Sequence, residues 1–124
     1  MESVLSPSIG LVWIVASDLE KAVKYYSEVI GLEVIEVHEQ FGWAELSGLD
    51  GSRLGIAQAN PQMDIPAGSN AIVCLNVPDI EKAREELIAK GASLLGEIME
   101  IPGHVKLQML ADVDGNRMQL AETL

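Results

Sequence analysis

The sequence has few cysteines, few basic residues and few aromatic rings. Its single cysteine, Cys74, excludes an internal disulfide and lies in an apolar run, where a small core side chain is the favoured interpretation. Only eight Lys and Arg residues stand against 19 Asp and Glu, which gives a formal net charge of -11. Because nucleic acids and anionic membranes attract basic surfaces, this charge argues against both as partners. An acidic surface can attract cationic small molecules, although it also serves solubility alone.

The chain also lacks a long hydrophobic run. Its longest apolar segments, residues 9–16 and 70–77, are much shorter than the roughly 20 residues that cross a bilayer. The first residues show no basic region ahead of an apolar stretch, so they do not match a signal peptide. With 124 residues, 48% of them hydrophobic, the sequence predicts one cytoplasmic domain that is long enough to bury a core.

An internal repeat organises the sequence. The segment Asp18–Ala22 (DLEKA) recurs as Asp79–Ala83 (DIEKA), at an offset of 61 residues (79 minus 18). Each copy follows an apolar, strand-like run and precedes a glycine, Gly31 or Gly91, at the place where a helix would end. Apolar residues follow each motif at helical spacing, and Asp18 and Asp79 are natural N-caps. The repeat therefore predicts one helix in each half.

Three short strand candidates follow each predicted helix. The dipeptides Asp50-Gly51 and Asp114-Gly115 are typical of hairpin turns and again occupy matching places in the two halves. Strand-like composition predicts strands over residues 32–39, 42–47 and 53–59 in the first half and 92–100, 105–110 and 117–122 in the second. Both halves thus have the element order βαβββ.

This order predicts an α+β fold with two βαβββ modules, residues 1–58 and 70–124, inside a single domain of residues 1–124. Residues 59–69 contain two prolines and a glycine, and they are predicted to form the linker. Two four-stranded mixed sheets, each with one helix on its outer face, would leave their inner faces to form a cleft. A cleft of this kind is the default position for a ligand site.

Two segments resemble a known superfamily. Residues 18–32 (DLEKAVKYYSEVIGL) and residues 112–120 (DVDGNRMQL) together resemble the vicinal oxygen chelate superfamily of glyoxalases, bleomycin-resistance proteins and extradiol dioxygenases. The resemblance covers essentially the whole chain and implies the glyoxalase/bleomycin resistance fold. It also implies a homodimer, in some members with exchanged modules or an exchanged N-terminal strand, and the sequence does not distinguish these arrangements.

The resemblance also implies where a metal would bind in metal-dependent members. One ligand, usually His, lies seven residues before the Asp that opens each helix, and one Glu lies four residues after each turn glycine. These positions hold Leu11, Ile72, Gly55 and Gln119 in this sequence. Leu, Ile and Gly carry no ligand atom, and a Gln amide is a weak, neutral donor. The sequence therefore predicts neither a metal at the family position nor another cofactor.

Strand alternation predicts which side chains line the cleft. Trp13 and Trp43 offer flat stacking surfaces, and small residues beside them leave room for a ligand. Asn76, Gln119 and Gln58 can fix polar groups. The predicted ligand-binding set is Trp13, Trp43, Gly55, Ala57, Ile72, Cys74, Asn76, His104 and Gln119. Core packing is an equally good interpretation of both tryptophans.

The missing ligands favour metal-independent binding, in which the protein sequesters a cationic or planar small molecule and performs no chemistry. The alternative is an enzyme on the same scaffold, a lyase, isomerase or dioxygenase with a non-standard or lost metal site. Such an enzyme needs an acid or base at the cleft, and His104, Glu45 and Lys106 are the candidates. A module that binds a protein partner is the third interpretation, because the fold permits all three.

Overall fold

The computed structural model describes residues 11–62, 65–68 and 70–124. Within these residues the chain forms two βαβββ modules with eight strands in total, four in each, which confirms the predicted α+β class. The strands are β1 Val12–Ala16, β2 Glu33–His38, β3 Trp43–Ser47, β4 Arg53–Gln58, β5 Val73–Asn76, β6 Ser93–Ile101, β7 Val105–Ala111 and β8 Arg117–Thr123. The predicted apolar run that leads into β1 begins at Ile9, which lies outside the described residues.

The helices begin where the repeat predicts. Helix α1 spans Leu19–Lys24 and α2 spans Ile80–Ala89. The Asp18 carboxylate accepts a hydrogen bond from the Lys21 amide, and the Asp79 carboxylate accepts one from the Lys82 amide, both at 3.1 Å. Gly31 and Gly91 follow with φ of 93° and 80°, a backbone conformation that favours glycine.

Helix α1 differs from the expectation at its C-terminal end. It continues into a π-helical turn, Tyr25–Val29, in which the Ile30 amide donates to the Tyr25 carbonyl at 3.2 Å. The Ser27 hydroxyl donates to the Val23 carbonyl at 2.8 Å, so a side chain satisfies one carbonyl of the preceding turn. Neither helix in the described part of the chain is long and apolar enough to cross a membrane.

Each module forms one mixed sheet, as predicted. The N-terminal sheet has the order β1-β4-β3-β2, and the C-terminal sheet has the order β5-β8-β7-β6. The first strand of each module pairs in parallel with the last, and the other pairs are antiparallel. The two chain halves therefore share their topology as well as their order of elements.

One face of each sheet packs against its helix and forms the core. In the first module Ile14, Ala44 and Ile56 are completely buried with Ala22 and Tyr26 of the helical segment. In the second module the buried residues of the sheet are joined by two from α2, and the set is Leu110, Met118, Leu120, Ile80 and Leu87. Because side chains alternate along a strand, the neighbouring residues point to the opposite face, which we call the inner face.

Side chains of the second module satisfy the free edge of β1. The Asn70 side chain accepts from the Val15 amide at 3.1 Å and donates to the Trp13 carbonyl at 2.9 Å. The side-chain nitrogen of Asn116 donates to the Val15 carbonyl at 3.2 Å. An unpaired strand edge otherwise invites pairing with another chain. The two modules are thus joined through hydrogen bonds to one strand.

A buried carboxylate, that of Asp112, completes this junction. It accepts hydrogen bonds from the Tyr26 hydroxyl at 2.8 Å, from the Asn116 side chain at 2.9 Å, and from the backbone amides of Asp114 and Asn116 at 2.8 and 2.9 Å. A buried charge is costly unless hydrogen bonds compensate it, and four donors do so here. Tyr26 belongs to the first module, so its hydroxyl ties the modules together.

We expect Tyr26→Phe to lower the free energy of unfolding by about 2 kcal/mol, because the Asp112 carboxylate loses a donor and stays buried. Urea unfolding followed by circular dichroism measures the change. Tyr25→Phe is the matched control, since the Tyr25 hydroxyl donates at 3.2 Å to the neutral Ala111 carbonyl in a partly buried position. Tyr25→Phe should lower the free energy of unfolding about half as much as Tyr26→Phe does. Equal losses in the two variants would contradict the role given to Asp112.

The same contact predicts a loss of stability in alkali. Burial and, after it, the Asp112 charge raise the pKa of Tyr26 well above its usual 10.0. Above pH 10 the unfolded chain loses the Tyr26 proton while the folded chain keeps it. The stabilisation is therefore complete below pH 10 and is lost as the pH rises further.

Urea unfolding at several alkaline pH values tests this dependence. We expect the stability advantage of the wild-type chain over Tyr26→Phe to shrink by about 1.4 kcal/mol for each pH unit above 10. Burial also raises the pKa of Tyr25. The comparison with Tyr26→Phe separates the contribution of Tyr26 from that of Tyr25, because both chains keep Tyr25. A constant difference across this range would show that Tyr26 ionises normally in the folded protein.

Candidate functional site

The inner face of the N-terminal sheet is the face opposite α1. Strand register places its side chains in two neighbouring rows across β1, β4, β3 and β2. The first row is Trp13, Gly55, Glu45 and Glu36, and the second is Val15, Ala57, Trp43 and His38. Four of the predicted ligand-binding residues therefore lie side by side on one surface, and this surface is separate from the helix-packed core.

The two indole rings contact each other on this surface. Their centroids are 6.2 Å apart and the ring planes meet at 63°, an edge-to-face arrangement. Trp13 is 36% exposed and Trp43 is partly buried. Gly55 lies beside the Trp43 ring and the Trp13 Cβ atom, because a Cβ atom built there would be 2.7 Å from Trp43 Cζ2 and 3.0 Å from Trp13 Cβ. The pair forms an aromatic patch that still has accessible surface.

Glu45 is fixed beside the aromatic patch. Its carboxylate accepts a hydrogen bond from Trp43 Nε1 at 3.3 Å and lies 3.5 Å from Arg53 Nη1. On the neighbouring strand, the Glu36 carboxylate lies 3.4 Å from His38 Nε2. One carboxylate thus contacts an indole and a guanidinium, and a second lies next to it in the same row, one strand further out.

The inner face of the C-terminal sheet is largely apolar. Its two rows across β5, β8, β7 and β6 are Cys74, Gln119, Met109 and Leu95, then Asn76, Ala121, Leu107 and Met99. Met99 is 58% exposed, and Ile72, just before β5, is 62% exposed. The thiol of Cys74 belongs to an exposed residue, which differs from the small core side chain favoured by the sequence.

The polar residues of this second face are available to a ligand. Neither Asn76 nor Gln119 makes a side-chain hydrogen bond with another residue of the described chain. Within the same residues, no hydrogen bond or ring contact links this face to the aromatic patch. Eight of the nine predicted residues therefore lie in two groups, one on each sheet or directly before its first strand, and His104 lies in a turn outside both groups.

The candidate acid and base residues lie apart from one another. His104 is exposed in the turn between β6 and β7, where its backbone amide donates to the Ile101 carbonyl at 3.0 Å. Lys106 lies on the helix side of its sheet, and its Nζ is 3.2 Å from the Glu81 carboxylate of α2. Glu81 raises the pKa of Lys106, whereas a lysine base needs a lowered one. Glu45 belongs to the other module.

Gln58 has a structural role instead of the polar cleft contact considered for it. Its side-chain oxygen accepts from the Leu19 amide at 2.8 Å, and its nitrogen donates to the Ser17 carbonyl at 2.7 Å. Glu122 does the same in the second module, accepting from the Ile80 amide at 2.8 Å. Both side chains satisfy an amide at the start of a helix. The offset of 64 between them (122 minus 58) matches that of the turn motifs and could have revealed this role.

A cavity of about 510 Å³ lies elsewhere, on the helix side of the N-terminal sheet. It opens between the start of α1 and the end of β2, and none of the predicted ligand-binding residues lines it. The lining residues are Asp18, Leu19, Glu20, Val23, Val37, Glu39, Gly42 and Gln58. Since Gln58 is already held by backbone groups, we do not include this open groove in the candidate site.

The residues at the family ligand positions do not fit a metal ion. Leu11 and Ile72 offer no donor, and the space beside Gly55 is filled by the Trp43 indole. In the described part of the chain, no three His, Cys, Asp or Glu side chains lie close enough together to hold an ion. Gln119 alone carries an oxygen donor among the four positions. We therefore derive no chemistry through a metal at this site.

Sequence reasoning missed Arg53 and the methionines of β6 and β7 as parts of the two inner faces. Arg53 could have been found from the Asp50-Gly51 turn, because a hairpin at that turn brings β3 and β4 together with Glu45 near Arg53. Met99 could have been found by alternation along β6. The pairing of β6 is irregular between Leu95 and Met99, but the two residues are four apart and still share the inner face.

Several solved structures share this fold at low sequence identity. The antibiotic binding protein TnmS3 from Streptomyces sp. CB03234 superposes with a TM-score of 0.81 at 22% identity, and the match covers 97% of this chain and 99% of that chain. A putative glyoxalase family protein from Bacillus anthracis gives a TM-score of 0.79 at 21% identity over 100% of both chains. TioX from Micromonospora sp. ML1 gives 0.74 at 18% identity, covering 94% of this chain and 100% of that chain.

A comparison with curated proteins finds no match. The family model of the Glyoxalase/Bleomycin resistance protein/Dioxygenase superfamily matches residues 8–120. This range takes in both repeat motifs and both turn motifs, and the two sheets have the paired arrangement that the resemblance implied. The chain therefore belongs to the Glyoxalase/Bleomycin resistance protein/Dioxygenase superfamily.

Proposed function

We propose that this protein is a cytoplasmic binding protein that sequesters a small organic molecule on its inner faces without a metal ion. The observation that carries the proposal is the contact between Trp13 and Trp43, at 6.2 Å between centroids, on the surface opposite α1. Tryptophans that served only the core would be expected among the helix-packed residues. An aromatic surface left partly exposed in a small domain favours a role in recognition.

The surroundings of the aromatic patch favour a planar, cationic ligand. An indole face attracts both flat rings and positive charge. Glu45 and Glu36 lie in the same row as Trp13, two and three strands away from it, and the net charge of -11 makes the whole surface attractive to cations. Arg53 compensates the charge of Glu45 in part. Glu36 pairs with His38 and has no lysine or arginine partner among the described residues.

The comparison with TnmS3 supports the binding hypothesis at the level of the fold. That protein is described as antibiotic binding, and its chain matches this one almost completely in length. Sequestration requires affinity alone, which an aromatic patch with a few polar anchors can provide. The alternative, an enzyme, would need an acid or base that faces the ligand, and the described positions of His104 and Lys106 do not favour one.

We further propose that a second copy of the chain completes the ligand site. The C-terminal inner face exposes apolar side chains such as Leu95, Met99 and Ile101, which are 39%, 58% and 45% exposed. Such a surface is unfavourable in water and favours a protein partner. The aromatic, acidic face of one copy and the apolar face of the other would form two walls around a ligand, and repetition would give a symmetric homodimer.

The ligand prediction is tested first by native mass spectrometry of freshly purified protein, which reports the stoichiometry and any retained molecule together. Titration with ethidium, a planar cation, then probes the aromatic patch through tryptophan fluorescence. We expect saturable quenching, and at least a tenfold weaker affinity in Trp13→Ala, since loss of one stacking ring removes on the order of 1.4 kcal/mol. Anilinonaphthalene sulfonate, an anionic aromatic probe, is expected to bind more weakly than ethidium.

The effect of divalent metal ions on ethidium binding tests whether binding is independent of a metal. Ethidium affinity should be the same in a chelator and in the presence of Zn²⁺ or Ni²⁺, because no described residue cluster can hold the ion. A stoichiometric divalent ion in the native mass spectrum, or binding that requires one, would overturn the proposal and return the protein to the metal-dependent enzymes.

The dimer prediction is tested with Met99→Glu, which adds a charge to the C-terminal inner face. Analytical ultracentrifugation should show a dimer for the wild-type chain and at least a tenfold larger dissociation constant for the variant, because a buried carboxylate without a partner is costly. Ile88→Glu on α2 is the matched control, since Ile88 is 54% exposed but lies outside the inner faces. A monomeric wild-type chain, or equal weakening by both substitutions, would contradict this arrangement.

A further inference from the structure

Position 55 requires a glycine because of the packing around it and not because of its backbone conformation. The residue is buried in the middle of β4, and it is absent from the glycines with positive φ. A Cβ atom at this position would be 2.7 Å from Trp43 Cζ2 and closer still to Trp43 Cη2. Such distances are not tolerated between real atoms, so any larger residue at position 55 would force the indole to move.

The Trp43 indole is held in this position from three sides. Its Nε1 donates to Glu45 at 3.3 Å, and Glu45 in turn lies 3.5 Å from Arg53. Its ring meets Trp13 edge to face, and its six-membered ring covers Gly55. Rotation of the indole away from Gly55 would therefore break a hydrogen bond to a charged group and an aromatic contact.

Position 55 is also one of the four positions at which the family resemblance implies a metal ligand. A ligand side chain there would begin with the Cβ atom that the indole excludes. We infer that the Trp43 indole occupies the space that a metal-binding side chain at position 55 would need, and that Gly55 is the positioning residue that makes room for it. The aromatic patch and a family-type metal ligand are alternatives for one volume, and this chain has the aromatic patch.

This inference rests on the proposed function only where it treats the aromatic patch as a ligand surface. Its structural part has its own readout, because Trp13 and Trp43 are the two tryptophans of the chain. Two indoles in contact give an exciton couplet in far-ultraviolet circular dichroism. Its presence reports that both rings hold their relative orientation, whether or not a ligand binds.

The test compares four chains: the wild type, Gly55→Ala, Trp43→Phe, and the double variant. Phenylalanine keeps an aromatic ring in the row but lacks the atoms that a Cβ at position 55 would meet. We expect Gly55→Ala to remove the couplet, to lower the melting temperature and to weaken ethidium binding at least tenfold. In the Trp43→Phe background the same substitution should lower the melting temperature much less, because the clash with the indole is gone, only the 3.0 Å contact with Trp13 Cβ remains, and alanine restricts the unfolded chain more than glycine does.

Two results would overturn the inference. One is a couplet that persists in Gly55→Ala, which would mean that the indole does not depend on the space at position 55. The other is an equal fall in melting temperature in both backgrounds, which would assign the role of Gly55 to something other than Trp43. If the couplet and the melting temperatures behave as expected while ethidium fails to bind even the wild type, the proposed ligand class is wrong and the packing inference stands.

Discussion

The buried carboxylate of Asp112 is the interaction on which the relation between the two modules depends. It lies in the turn that opens β8, and it takes hydrogen bonds from its own turn and from Tyr26 of the other module. Asn116, which it orients, donates to Val15 in β1. A charge buried in this way tolerates few alternative arrangements, because each displaced donor leaves part of it uncompensated. The motif DVDGN is thus both a hairpin turn and a junction between modules.

The two faces of the N-terminal sheet, whose edge strand β1 is held in this way, have different surroundings. The face with Ile14 and Ile56 packs against α1, and both of these side chains are completely buried. The face with Trp13 and Trp43 lies opposite α1, and it combines the partly exposed indoles with the buried Val15 and Ala57. The same division in the C-terminal sheet leaves an apolar inner face. Among the described residues each sheet packs against one helix, and that helix lies on one side of the sheet.

The sequence predicted the features that local chemistry determines. The helix starts at Asp18 and Asp79, the turn glycines and the order of elements along the chain all follow from short motifs, and they appear in the structure within a residue or two. It did not predict features that depend on distant partners. Lys106 was considered for the cleft, yet it lies on the face that packs against α2, where its Nζ meets Glu81. Gln58 and Glu122 cap helix amides that are separated from them by about forty residues, a contact that becomes visible only once the parallel pairing of β1 with β4 and β5 with β8 is known.

The sequence predicted which residues share the inner face, but not how their side chains are arranged on it. Alternation placed Trp13, Gly55 and Ala57 on one face, and the register confirms that they share it. The direction of the Trp43 ring could not be read from alternation, because the ring reaches diagonally from its own row over Gly55 in the next. That reach explains why the glycine at position 55 is more than the absence of a ligand side chain. A missing side chain alone would leave a void in the sheet surface, which is unfavourable. The indole from the neighbouring strand fills this space, so the Trp43 ring and a metal-binding side chain at position 55 exclude each other.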